Sequence, residues 1–277
     1  MMLDPLDLQT VRSWLWRTGR TLYRYARREV SVHPETNGEY WILDLAVANA
    51  PSGSLTLFDV GANLGDWTAR ARECLTRHQR EGITYSFEPT PVTFQFLTQR
   101  FASDSRVRPL SLAVSDEAGE FTFHVTEMAG TNSLFGAEGG VRTQVQVTTI
   151  DDLLAQRGIE RVSFLKSDTE GSDLAVLRGG ARSLAEGRID VWQFEYNHRW
   201  VFSRSFLRDV FELLRGKPYV LGKLCHNRIE VFDAWHPELE RYFQTNFVLL
   251  RIGTSLQQVA CNFSFDRSNV PVHLARA

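Results

Sequence analysis

The stretch Leu55–Trp67, "LTLFDVGANLGDW", decides the fold of this 277-residue chain. A short apolar run, "LTLFDV", is cut by Gly61 and Gly65 and passes into "WTARARECLTRHQ", which has the pattern of a helix. A strand thus hands over to a helix through a tight glycine turn, where a ligand can approach the helix N-terminus closely. The alternation continues downstream. "ITYSFEP" reads as a second strand stopped by Pro89 and Pro91, "VTFQFLTQRFA" as a helix and "VRPLSLAVS" as a third strand. "GEFTFHVTE" and "TQVQVTTI" alternate like hairpin partners across the glycine-rich "AGTNSLFGAEGG" loop. "TTIDDLLAQRG" begins a short helix, "RVSFLKS" is a buried strand, "GSDLAVLRGGARSLAEG" a helix, "IDVWQFEY" a strand and "SRSFLRDVFELLRG" a helix. "YVLGKL", "RIEVF" and "NFVLLR" supply short terminal strands, and the tail after Gly253 is weakly patterned. Repeated strand, helix, strand units predict an α/β, doubly wound, mostly parallel sheet with helices on both faces. Residues 1–52 are expected to form an N-terminal helical extension and residues 53–277 the main domain.

Composition narrows the function classes. A formal charge of −2 and a pI near 6.4 lack the basic surplus of a dedicated nucleic-acid binder. Cys74, Cys225 and Cys261 are odd in number, widely spaced and without a CxxC pair, so neither a disulfide framework nor a thiolate zinc site is expected. No apolar run has the length of a membrane span and the N-terminus lacks the apolar centre of a signal peptide, so a cytoplasmic protein is expected. The first thirty residues stand apart. Arg12, Arg17, Arg20, Arg24, Arg27 and Arg28 fall within an arc of roughly 160° on a helix, opposite Val11, Trp14, Leu15, Thr18, Leu22, Tyr25 and Ala26. Residues 11–28 could lie in a membrane interface, with arginines on anionic headgroups, or serve as a homo-oligomer contact. The plainer alternative packs the apolar side on the chain's own domain and leaves the arginines in solvent.

Glu88 strengthens the glycine turn. It ends the second strand 23 residues after Gly65, where an acidic side chain can accept both hydroxyls of an adenosine ribose. A dinucleotide fingerprint needs GxGxxG so that the backbone can approach a pyrophosphate, but Asn63 occupies the second position; no Walker loop occurs either. S-adenosylmethionine carries a ribose and no phosphate, so the motif favours it over NAD. Asp59 and the turn backbone could hold its amino acid end.

With these residues in view, the chain resembles the FkbM family of S-adenosylmethionine-dependent methyltransferases, within the Rossmann-like class I fold. The resemblance rests on "FDVGANLGDWT", "SFEPTPVTFQFL", "LSLAVSDEAGEFTFHV", "GTNSL", "VTTIDDLL", "FLKSDTEGSDLAVLRGG", "FEYN" and "NFVLL", in that order, over roughly Leu55 to Leu250. It implies a seven-stranded sheet with an antiparallel last hairpin strand, S-adenosylmethionine as cofactor, and O-methylation of sugar, polyketide or similar hydroxyls. It implies that Asp59, Gly61 and Asn63 line the methionine end, that Glu88 holds the ribose, and that Val114, Ser115 and Asp116 lie near the adenine. Ser167 stands where an apolar residue is common in the family, and Asp173 where glutamate is common.

Methyl transfer to a hydroxyl needs alignment and a base. Asp168 and Glu195 should both emerge at the carboxyl ends of their strands, where ligands sit in such sheets. His198, three residues beyond Glu195, has a pKa suited to proton transfer near neutrality. Glu170 is either a helix cap or a ligand for substrate or cofactor; Asp173 reads as a favourable charge in the first turn of the following helix. Asp168, Glu195 and Glu170 could hold a divalent metal, although nothing in their spacing is diagnostic and no metal ligands are assigned. Thr131, Asn132 and Ser133 could close over a polyol. The expected partner is a hydroxylated acceptor such as a saccharide or glycolipid. The competing readings are a non-catalytic nucleoside-binding regulatory domain on the same fold and a nicotinamide-dependent oxidoreductase.

Overall fold

A computed structural model describes residues 5–27, 29, 32–125 and 141–274. Thirteen strands are seen among them: β1 (Leu55–Val60), β2 (Gly82–Phe87), β3 (Val107–Leu110), β4 (Ala113–Val114), β5 (Gly119–Val125), β6 (Val141–Thr148), β7 (Phe164–Ser167), β8 (Val191–Tyr196), β9 (Tyr219–Cys225), β10 (Arg228–Phe232), β11 (Thr245–Arg251), β12 (Ala260–Phe265) and β13 (Pro271–His273). The helices are α1 (Pro5–Ala26), α2 (Glu39–Asn49), α3 (Asp66–Arg77), α4 (Pro91–Arg100), α5 (Ile150–Gln156), α6 (Asp173–Gly179), α7 (Ala181–Ala185) and α8 (Leu207–Leu214).

Ten strands form one sheet in the order β13-β12-β10-β9-β11-β8-β7-β1-β2-β3. β3, β2, β1, β7 and β8 run parallel, and β11 enters antiparallel between β8 and β9. This is the expected doubly wound sheet, but it is larger than seven strands. β10, β12 and β13 extend it past β9, and the last two come from the weakly patterned tail. Their side chains are mostly half-buried or exposed, so the apolar signal of a core strand is missing from the sequence. The expected third strand divides. β3 pairs only with β2, an edge position that tolerates Pro109, while β4 crosses to a second sheet of order β4-β6-β5.

The central strands are buried on both faces, and their alternation separates two cores. Phe58, Val60, Leu165, Trp192 and Phe194 pack with α5, α6 and α8 residues such as Leu153, Val176 and Val210. Leu57, Phe164, Val191 and Val248 face the other way, onto Ile42, Leu43 and Val47 of α2 and Trp67, Ala71 and Leu75 of α3. Asp59 and Lys166 belong to this second face by the same alternation. α1 is arranged unlike either ordinary packing pattern: Leu8, Val11, Trp14, Leu15, Leu22 and Tyr25 are all exposed. The expectation of an apolar face laid on its own domain is therefore overturned for this helix. The body is touched instead by Arg20, Tyr23 and Arg27.

Candidate active site

The site forms where β1, β7 and β8 end. Gly61 turns the chain out of β1 with φ +81°, and a Cβ there would stand 2.1 Å from the Asp168 carbonyl oxygen. Only glycine allows the turns after β1 and β7 to touch in this way. Both turns carry a non-glycine residue in the left-handed region, Asn63 at φ 48° and Glu170 at φ 54°. Such geometry costs about 1–3 kcal/mol and clusters at functional sites.

Two hollows meet at this contact and share Gly61 and Asp168 as walls. One is a narrow, mainly apolar slot of about 50 Å³, bounded by Val60, Phe87, Pro89, Leu112 and Val114. The other is an open cleft of about 250 Å³, lined among others by Glu39, Tyr40, Lys166, Glu170, Glu195 and Asn246. Five carboxylates, Glu39, Asp66, Asp168, Glu170 and Glu195, line the cleft against one ammonium, that of Lys166.

Strand register builds this polarity. Asp59 stands opposite Lys166 across β1 and β7, and Lys166 opposite Gln193 across β7 and β8. Glu195 stands opposite Asn246 on β11. Lys166 Nζ lies 3.2 Å from Asp168 Oδ2. Burial alone would lower the Lys166 pKa, but the carboxylates of Asp168, Glu39 and Asp59 together hold it above its ordinary value. Burial raises the carboxyl pKa values of Glu39, Asp59 and Glu195, with Asp168 adding to the effect at each. Glu170 is raised to about 7, first by burial and then by Asp168, against the opposing pull of Arg199, whose Nε is 3.0 Å from its carboxylate. Asp173 is fully buried and raised to about 7 by burial and by Asp168.

The residues expected from sequence fall into distinct places. Glu88, the residue after β2, is buried between Phe87 and Pro89 of the slot wall but lines neither hollow; its two oxygens accept from the backbone N–H groups of Asn63 at 3.0 Å and Thr90 at 2.9 Å. The Thr90 side chain also hydrogen-bonds this carboxylate. Asp59 is fully buried beneath the turn, where Oδ2 accepts from Thr68 Oγ1 at 2.6 Å, and it does not line the cleft. Val114 lines the slot, whereas Ser115 and Asp116 do not; the Ser115 hydroxyl donates to Asp116 at 3.1 Å. Asp168, Glu170 and Glu195 do line the cleft. Glu195 accepts from Asn197 Nδ2 and from Gln244 Nε2. His198 is exposed and does not line the cleft, because Asn197 turns inward in its place. Ser167 accepts from the buried Trp192 indole at 3.2 Å, which accounts for a hydroxyl at that position. Thr131, Asn132 and Ser133 lie outside the described residues.

Lys166, Glu39, Tyr40, Gln244 and Asn246 were not anticipated. The lysine inside an otherwise apolar strand run was the one signal that could have flagged the first. The oxygens of Asp168, Glu170 and Glu195 do not all come within 4.8 Å of one another. Among the described residues the one potential ligand group that does is Asp44, Cys74 and His78, between α2 and α3, where Arg77 already holds Asp44 Oδ1 at 2.6 Å.

The donor set can be tested against the expected cofactor. Asp59 Oδ1, Thr169 Oγ1, Ser172 Oγ and Asp173 Oδ1 are buried without a hydrogen-bond partner around the strand ends. A carboxylate beside an apolar slot suits an adenosine, and the acidic cleft suits a cationic sulfonium while repelling a pyrophosphate.

Comparison with known proteins gives a concordant result. The pattern of the methyltransferase FkbM domain matches residues 59–221. The chain is similar to the hexuronic acid methyltransferase AglP of Haloferax volcanii, with 27% identity over 196 residues, covering 68% of this chain and 78% of that protein. It is 31% identical over 157 residues to the 31-O-demethyl-FK506 methyltransferase FkbM of Streptomyces tacrolimicus, covering 44% of this chain and 58% of that one. Among solved structures, methyltransferase FkbM from Methylobacillus flagellatus KT aligns with a TM-score of 0.47 and 18% identity, over 72% of this chain and 45% of that chain.

Proposed function

This chain belongs to the FkbM methyltransferase family, and from that premise we propose that it methylates a hydroxyl of an uncharged saccharide-type acceptor, free or lipid-linked. The observation that carries this reading is the junction at Gly61 and Asp168, where a narrow, mainly apolar slot opens into a carboxylate-lined cleft. Bound S-adenosylmethionine would supply an electrophilic methyl group on a sulfonium. Val60, Phe87, Pro89, Leu112 and Val114 would flank its adenine, and Glu88 would accept its ribose hydroxyls. The acceptor would lie in the cleft, where carboxylates and the Gln244 and Asn246 amides offer hydrogen-bond partners to a polyol.

Asp168 would orient the acceptor hydroxyl, itself fixed by Lys166. Glu170, with its pKa raised to about 7, is suited to take the proton as the oxygen attacks the methyl carbon and the carbon–sulfur bond breaks. Glu195 would accept from a neighbouring hydroxyl. The same acidic surroundings disfavour an acceptor that carries its own carboxylate. Labelled methyl transfer to a panel of neutral sugars, uronic acids and polyketide alcohols tests the proposal. Incorporation should be greatest into neutral sugars and should appear as an O-methyl group; incorporation confined to amines or uronic acids would refute it.

A further inference from the structure

We infer that α1 docks the protein on an anionic lipid surface through the helix face that points away from the body. The inference stands independently of the methyl-transfer reading. Leu8, Val11, Trp14, Leu15, Leu22 and Tyr25 lie within one side of the helix and are 49% to 84% exposed. Arg20, Tyr23 and Arg27 face the body, roughly opposite the centre of that side. Arg20 stacks over Phe243, Arg241 over Tyr23, and Arg27 pairs with Glu238 at 3.2 Å. Just beyond the helix, Glu29 forms a buried ion pair with Lys223 at 3.0 Å. The helix is thus fixed by its polar side, and its apolar side has no cover among the described residues.

Charge selects the occupant. Arg12 and Arg17 flank the apolar side at its two margins, and Arg24 stands beside Arg17. Among the described residues no carboxylate pairs with these three arginines. The helix has no acidic residue between Leu8 and Arg27, so a second copy of the same face would bring like charges together. A layer of anionic headgroups over acyl chains satisfies both the arginines and the apolar stripe, with tryptophan and tyrosine at the boundary. The helix cannot cross the membrane, since no described helix is long and apolar enough. Its anchor has a further consequence. The loop carrying Glu238, Arg241 and Phe243 to α1 also carries Gln244 to Glu195, so the surface-bound helix would hold the cleft at the headgroup layer.

Sedimentation of the full chain with phosphatidylcholine vesicles, with and without roughly one third phosphatidylglycerol, tests this. Binding should require the anionic lipid and should weaken with salt. The double variant Leu15→Ser, Leu22→Ser should lose about tenfold or more in vesicle affinity, and Arg12→Gln, Arg17→Gln, Arg24→Gln together on the order of 100-fold. All five side chains are exposed, so thermal melting should be unchanged in both variants. Absence of binding, or binding that neither variant weakens, overturns the inference. So does a concentration-dependent dimer in sedimentation velocity that the leucine variant abolishes while vesicles leave the protein free.

Discussion

The roles proposed for Glu88 and Asp168 differ, cofactor binding for one and acceptor alignment for the other, so their substitutions should separate binding from chemistry. Glu88→Ala should weaken S-adenosylmethionine binding by about 10- to 100-fold in calorimetric titration, the worth of hydrogen bonds to a charged group. Asp168→Asn should leave that affinity unchanged and lower turnover by about 10²- to 10⁴-fold, the range of a positioned polar catalyst. Full turnover in Asp168→Asn would remove the role assigned to it. Asp173 makes a prediction about stability. Its folded pKa, about 7, lies above the ordinary aspartate value because the charged form is buried, so the native state holds a proton that the unfolded state has already released. Its favourable contribution is complete below about pH 4 and is lost as pH rises toward 7, on the order of a few kcal/mol. Asp173→Asn should flatten the fall in urea midpoint between pH 5 and pH 8. An unchanged slope would show that the group does not titrate there. At this scale Asp168, Glu170 and Glu195 were legible from their positions at strand ends. Asp173 read as a favourable charge in a helix first turn, and its burial went unread, because burial is a property of the neighbours and leaves no mark on the residue.

At the scale of elements, β1, β2 and their following helices were legible because each strand run and each turn is local. The division of "VRPLSLAVS" into β3 and β4 was not, since it depends on which sheet each half meets. β12 and β13 escaped for a related reason: as outer strands they bury few side chains, yet β12 supplies the parallel partner of β10 from Ile229 to Phe232. Deleting residues 254–277 should expose that edge of β10, lower the melting temperature and produce concentration-dependent light scattering. Melting and scattering equal to those of the full chain would show that the added strands are dispensable. α1 illustrates the same limit. Its two faces were plain in the sequence, but which face meets the body was settled by Glu238, Arg241 and Phe243, more than two hundred residues away.

At the scale of the whole molecule, the sheet converts separate sequence fragments into one electrostatic site. Lys166 stands beside Asp168, and the carboxylates of Asp168, Glu170 and Glu195 do not converge. Methyl transfer should therefore survive exhaustive chelation with EDTA; loss of activity restored by a divalent cation would contradict this. Periodicity and the glycine turn by themselves determined a doubly wound sheet and the strand ends at which a site could form, because those signals act over a few consecutive residues. Only the tertiary structure decided that Asp59, Lys166 and Gln193 share a row, that Glu39 and Gln244 enter the cleft, that His198 stays outside it, and that α1 turns its apolar side outward. Each of these depends on strand register or on packing between distant segments, and one residue of slippage along a strand would send that strand's side chains to the opposite face.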